Sequence, residues 1–123
     1  MKVEFKANDK VTLVAEGESQ LEVFENLASM QEVFAEEKCG KCSSDRLSFK
    51  VRKVPDGKKF FYYPELVCQK CYAKLTYGQS DAGLFPIRYE RKEKEYVKDA
   101  NGKNIPLGTN GWIKWNKEKG VSE

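Results

Sequence analysis

Histidine is absent from the 123-residue chain, and cysteine occurs four times only, as Cys39, Cys42, Cys68 and Cys71. Without an imidazole base, neither a Ser-His-Asp nor a Cys-His nucleophile can be assembled. Typical catalytic zinc sites, built on His or carboxylate ligands with one position left for water, are disfavoured for the same reason. The chain is therefore expected not to be an enzyme. Long hydrophobic runs are missing too. No stretch approaches the roughly 18 to 20 apolar residues of a membrane helix, and Met1-Lys2-Val3-Glu4-Phe5 alternates where a signal peptide would be continuously apolar. The expectation is a soluble cytoplasmic protein with no membrane partner. With 40% hydrophobic and 33% charged residues, the chain has enough apolar material to fold and a length that suits one compact domain.

The net charge of +3 conceals an asymmetry. Residues 1–37 hold three lysines against nine acidic residues, a net −6, whereas residues 38–123 hold 19 basic against 10 acidic residues, a net +9. Segments of opposite sign imply that the basic one meets a polyanion or that the two attract each other.

Along the chain, Val3 to Ala7 alternates apolar and polar residues, Asn8-Asp9-Lys10 interrupts, and Val11 to Ala15 resumes with β-branched residues, a pattern that predicts a β-hairpin. Ser19-Gln20-Leu21-Glu22 reads as a capping box, with the Ser19 hydroxyl accepting from the Glu22 amide and the Glu22 carboxylate reaching back to the Ser19 amide. A helix is expected from there to about Glu37. Val23, Leu27, Met30 and Phe34 form its apolar stripe, with Leu21 and Phe24 alongside, packed on the hairpin. A second hairpin follows, Arg46–Val54 and Phe60–Val67 about a Pro55-Asp56-Gly57-Lys58 turn, then a third strand over Ala73–Tyr77. Beyond Gly78, Ser80–Gly83 reads as a loop, Asp99–Lys103 as an Asn-Gly turn, and Asn116–Glu123 as a frayed end.

Two Cys-x2-Cys pairs, 25 residues apart with a hairpin between them, have the spacing of a zinc ribbon. Each pair makes a tight knuckle that points two thiolates at one ion, and the hairpin brings the knuckles together into a closed, structural, all-sulfur Zn2+ site formed by Cys39, Cys42, Cys68 and Cys71. Lys38, Lys41 and Lys70 offset its negative charge. Two disulfides are the competing reading, disfavoured for an intracellular chain and for pairing within such tight loops. A redox Cys-x-x-Cys would need a thioredoxin-like βαβ context. Iron is the other ion that four thiolates hold.

After the helix, the aromatic residues keep company with lysine and arginine, the combination that holds single-stranded nucleic acid, cations tracking phosphates and rings stacking on bases. The candidate phosphate contacts are Lys50, Arg52, Lys58, Lys59, Lys74, Arg88, Arg91 and Lys114. Tyr62, Tyr72, Tyr77, Trp112 and Trp115 are the candidate stacking surfaces. In the run Phe60-Phe61-Tyr62-Tyr63, alternate rings face opposite sides of a strand, and one of those sides cannot easily be core. The only predicted helix is acidic, which argues against a helix-in-groove reader of duplex DNA.

Phe24 with Gln31-Glu32-Val33-Phe34, the two knuckles, Ala73–Gln79, Leu84–Arg88 and Gly111-Trp112-Ile113-Lys114-Trp115 together resemble small zinc-ribbon proteins encoded by tailed bacteriophages. The resemblance implies single-stranded-DNA binding in phage replication or recombination, in the host cytoplasm, with replication or recombination proteins as partners. Only the four cysteine ligands transfer from it to named positions. The expected fold is α+β, with a ββα unit (1–37) packed on a four-cysteine zinc ribbon (38–79) and a basic aromatic C-terminal extension (80–123). The expected function is non-catalytic binding of single-stranded DNA with little sequence preference. The alternative is a protein-interaction module whose zinc ribbon docks on a host or phage enzyme such as a polymerase. An enzyme built on Glu90, Glu93 and Glu95 with a further metal finds no support in their spacing.

Overall fold

The computed structural model describes residues 1–81 and 83–122. Among them it is α+β, with one helix and eleven strands. No helix is long and apolar enough to cross a membrane. The chain divides into two compact units, Met1–Glu37 with Gln79–Phe85, and Lys38–Gly78 with Pro86 onward. The boundary at residue 37 lies where the charge changes sign, but 79–85 belongs with the N-terminal unit, not with a C-terminal extension.

In the first unit β1 (Lys2–Lys6) and β2 (Thr12–Glu16) form an antiparallel hairpin in the register Val3↔Ala15, Phe5↔Leu13. Asn8 closes it, its side-chain oxygen accepting from the Lys10 and Val11 amides at 2.9 and 3.0 Å. Leu13 and Ala15 are buried while Thr12, Val14 and Glu16 face outward, the period-two pattern of a half-buried strand. Helix α1 (Gln20–Phe34) lies against this strand and buries Val23 and Val33. Leu21 and Phe24, expected beside the stripe, are instead well exposed.

The cap is displaced from the expected box by one residue. The Ser19 hydroxyl accepts from the Glu22 amide at 3.1 Å, but the Glu22 carboxylate accepts from the Glu18 amide, also at 3.1 Å. The helix ends three residues before Glu37, with the Ala35 amide bonding the Gln31 carbonyl and Asn8 Nδ2 donating to the Ala35 carbonyl. Carrying it through Glu36 and Glu37 would set two further carboxylates on the negative end of the helix dipole.

The main sheet runs β3 (Leu47–Asp56), β4 (Lys59–Cys68), β5 (Lys74–Ser80) and β6 (Gly83–Pro86), with β9 (Trp112–Ile113) also pairing β5. Gly57 and Lys58 alone make the β3–β4 turn. Gly57 sits at φ +63, as the first central residue of a tight hairpin turn requires. Pro55 and Asp56 therefore continue the strand, paired with Phe60 and Lys59, rather than forming the turn. β4 meets β5 only over Glu65–Val67, so the outer part of the β3–β4 hairpin extends as a two-stranded arm. The pairs Leu66↔Leu75 and Leu75↔Trp112 set three buried residues in one row across β4, β5 and β9. Burial of each of the two leucines contributes roughly 1.5–3 kcal/mol.

Three further segments hold strands that the sequence reading did not name. Leu84 and Phe85 lie in strand β6 despite the following proline, and of the loop expected at 80–83, Ala82 lies outside the described residues. β7 (Arg91–Lys92) and β8 (Glu95–Tyr96) form a hairpin whose two turn residues, Glu93 and Lys94, both have positive φ, a turn that ordinarily announces itself with Asn or Gly. The expected frayed end folds back as β10 (Trp115–Asn116) on β11 (Val121–Ser122), the Asn116 side chain accepting from the Glu118 and Lys119 amides; Glu123 lies outside the described residues.

Candidate metal centre

Both Cys-x2-Cys segments adopt the same local path. In the first, the Ser43 amide bonds the Cys39 carbonyl at 3.0 Å and the Cys39 amide bonds the Ser44 carbonyl at 2.8 Å. In the second, the Tyr72 amide bonds the Cys68 carbonyl and the Cys68 amide the Ala73 carbonyl, each at 2.9 Å. The residue four after the first cysteine is left-handed in both, Ser43 at φ 62 and Tyr72 at φ 65. The chain thus turns twice in one way and presents two sulfurs each time. Amides inside the turns point at those sulfurs, Lys41 N–H to Cys39 Sγ at 3.3 Å and Cys71 N–H to Cys68 Sγ at 3.5 Å.

The four sulfur atoms lie within 4.8 Å of one another. The closest approaches run between the knuckles, Cys39 to Cys71 at 3.6 Å and Cys42 to Cys68 at 3.5 Å. A disulfide needs about 2.05 Å, so all four are free thiols. An ion bonded to four thiolates at about 2.3 Å would sit inside a tetrahedron with edges of about 3.8 Å, close to these separations. The cluster could hold one such metal ion.

Burial pushes the Cys39 thiol up to about 12, against the amides of Cys42 and Lys41, which act to lower it. Cys42 is raised as well: the Ser44 backbone holds it down, but burial and the Cys68 and Cys71 sulfurs outweigh that. Burial acts on Cys68 in the same upward sense, yet the Cys71 and Lys70 amides together with the Cys42 and Cys71 sulfurs bring it down to about 6. Cys39 and Cys42 are thus held towards the thiol and Cys68 towards the thiolate, and a cation would favour the thiolate at each of them.

Packing fixes the first knuckle from outside. A Cβ on Gly40 would run into the Trp112 ring and come within 2.8 Å of the Thr109 carbonyl, so only glycine admits the indole there. Trp112 is 0% exposed. That overturns its expected role as a stacking surface: its place on β9, opposite Leu75, makes it core. Tyr77, on β5 and 6% exposed, is corrected in the same way. Tyr72 at 75%, Trp115 at 58% and Tyr62 at 50% are all open to solvent.

The candidate cations divide likewise. Lys50, Lys58, Lys59 and Lys114 are exposed. Arg52 and Lys74 converge on Glu65, at 3.6 and 3.1 Å, from the two strands that flank it. Glu65 is buried, so these two cations serve first to neutralise it. Arg88 Nη1 donates to the Asn110 carbonyl at 2.6 Å, and Arg91 donates to the Lys94 carbonyl while lying over the Tyr96 ring. Both arginines are thereby engaged in holding loops.

Of this arm the sequence reading named Lys50, Arg52, Lys58, Lys59 and Tyr62 as contacts, but not Lys53, Phe60, Phe61 or Tyr63. Phe60, Phe61, Tyr62 and Tyr63 are 41–56% exposed and alternate between its faces. Arg52 stands 4.9 Å from the Tyr63 ring and Lys53 5.7 Å from that of Tyr62, each directly across the ladder. The four-ring run signalled that one face would be exposed; that both are follows only from how little of β4 is paired by β5.

Compared with protein-family models, with curated proteins and with solved structures, the chain matches none.

Proposed function

We propose that the protein binds single-stranded nucleic acid, DNA first and with little sequence preference, on a scaffold held by one structural zinc ion in a ribbon built on the two knuckles. The observation that carries this reading is the β3–β4 arm, where four consecutive exposed rings stand among Lys50, Arg52, Lys53, Lys58 and Lys59 with Asp56 the only exposed acid. Exposed flat side chains interleaved with cations match unpaired bases joined by phosphates. Contiguous exposed aromatic rings rimmed by polar residues mark an interaction surface. Zinc fits the four-sulfur donor set because it tolerates tetrahedral thiolate coordination without redox change, and four protein ligands leave no position for a reacting water. The binding is non-catalytic. The resemblance to phage zinc-ribbon proteins supports a setting in phage replication or recombination, in the host cytoplasm.

A protein-interaction module is the second reading, favoured by Leu21 and Phe24, which are exposed on an otherwise acidic helix. Salt separates the two. Fluorescence anisotropy of a labelled 30-mer should show binding whose log Kd changes linearly with log salt, with a slope of roughly 0.7 per phosphate neutralised. Tyr62→Ala should weaken it by roughly 1–3 kcal/mol and leave the slope nearly intact, while Lys59→Ala should lower the slope. Absence of binding to any oligonucleotide at low salt overturns the nucleic-acid reading.

A further inference from the structure

A second feature of the Lys38–Gly78 and Pro86-onward unit is built from none of the arm residues. An open cleft of about 500 Å³ is lined by Lys41, Lys114, Trp115, Asn116, Lys117 and Glu118. Its size falls in the range of roughly 300–1,000 Å³ typical of small-ligand sites. Lys41 comes from the first knuckle, between Cys39 and Cys42, Lys114 from the link between β9 and β10, and the others from β10 and the turn that follows it. Among the described residues, none of the three lysine ammonium groups is engaged in an ion pair.

Each part of the cleft is held in place. The knuckle fixes the Lys41 backbone, whose amide donates a hydrogen bond to Cys39 Sγ. The Asn116 side-chain oxygen accepts from the Glu118 and Lys119 amides, and its carbonyl accepts from the Gly120 amide at 2.8 Å, which sets the direction of Lys117 and Glu118. Trp115 presents a ring that is more than half exposed. Three cations, one carboxylate and one open indole give a net +2 around a stacking surface.

We infer that this cleft is a single-nucleotide subsite, in which Trp115 stacks one base of a strand and Lys41, Lys114 and Lys117 hold its phosphate. The inference rests on the nucleic-acid reading and adds to it a contact on the knuckle itself, made by residues outside the arm. It ties the metal to binding, since the ion that would shape the knuckle also positions Lys41. Glu118 is the residue in the cleft that opposes a phosphate.

Tryptophan emission isolates the subsite, because Trp112 is buried and Trp115 is the exposed indole. Metal-loaded full-length protein is titrated with a thymidine trinucleotide and with a 30-mer, following emission and, for the 30-mer, anisotropy. Saturable quenching by both probes is expected. Trp115→Phe should abolish the quenching while keeping most of the affinity, and Trp115→Ala should weaken binding about 5- to 160-fold. Lys117→Gln should reduce the salt slope by about 0.7, and Glu118→Gln should tighten binding. Lys41→Gln is read together with metal content, and if it loses the ion, Lys117→Gln and Glu118→Gln decide. Salt-dependent binding of the 30-mer with unquenched Trp115 and a wild-type Lys117→Gln overturns the subsite and leaves the arm as the binding surface. No binding of either probe at low salt overturns the subsite and the nucleic-acid reading together.

Discussion

At the scale of single residues, the four cysteines divide by environment more than by position. Cys39 and Cys68 open equivalent turns, yet burial drives the first up to about 12 while amides and neighbouring sulfurs bring the second down to about 6. At pH 7, before any ion binds, Cys39 and Cys42 are therefore thiols and Cys68 is largely thiolate. Metal uptake must expel one proton each from Cys39 and Cys42, so affinity rises with pH and the ion is released as pH falls. Calorimetric zinc titration at pH 7 in buffers of different ionisation enthalpy should report at least about two protons released per ion. A pH-independent affinity between 6 and 8 would contradict this. That the four cysteines would cluster was legible because Cys-x2-Cys spacing encodes a local turn. The fate of the two tryptophans was not. Trp112 and Trp115 both flank Lys114 in the sequence, and only pairing of Trp112 with Leu75 on a distant strand makes one core and leaves the other open.

At the scale of elements, local hydrogen bonding set the starts of structure more firmly than the ends. Ser19 caps α1 as its sequence position implies, so Ser19→Ala should cost about 1 kcal/mol in a urea melt followed by far-UV circular dichroism. The ligands lie in the other unit, and metal content should not change. An unchanged melt would mean that the cap contributes nothing to folding. The stop at Phe34 was less legible, since it depends on Asn8, 27 residues earlier, bonding the Ala35 carbonyl. Short strands were the hardest to read. β7, β8, β10 and β11 are two residues each, too brief for alternation to register, and the Glu93-Lys94 turn lacks the usual glycine or asparagine. The β3–β4 hairpin, at ten residues a strand, was read correctly in outline because two long β-prone runs bracket Gly57, whose positive φ makes the reversal.

For the whole molecule, the ion is expected to matter unequally to the two units. A structural zinc contributes on the order of 10 kcal/mol to the fold that holds it. All four sulfurs lie in the Lys38–Gly78 and Pro86-onward unit, and Trp112 packs on the first knuckle there. Stripping the metal with a chelator should shift Trp112 emission to the red while much of the α1 signal in the far-UV persists, and Cys68→Ser should reproduce that state. Complete loss of helix along with the tryptophan shift would show that the ion holds both units. The sequence by itself determined the two cysteine knuckles, the first hairpin, the helix start and the division of charge at residue 37, because each is written in contacts a few residues apart or in composition. Tertiary structure alone decided that 79–85 joins the N-terminal unit, that Arg52 and Lys74 serve Glu65, that Trp112 is core, and that Lys41 and Trp115 line one cleft. Those outcomes depend on which strands share an edge and how far each pairing extends, and no local spacing encodes either.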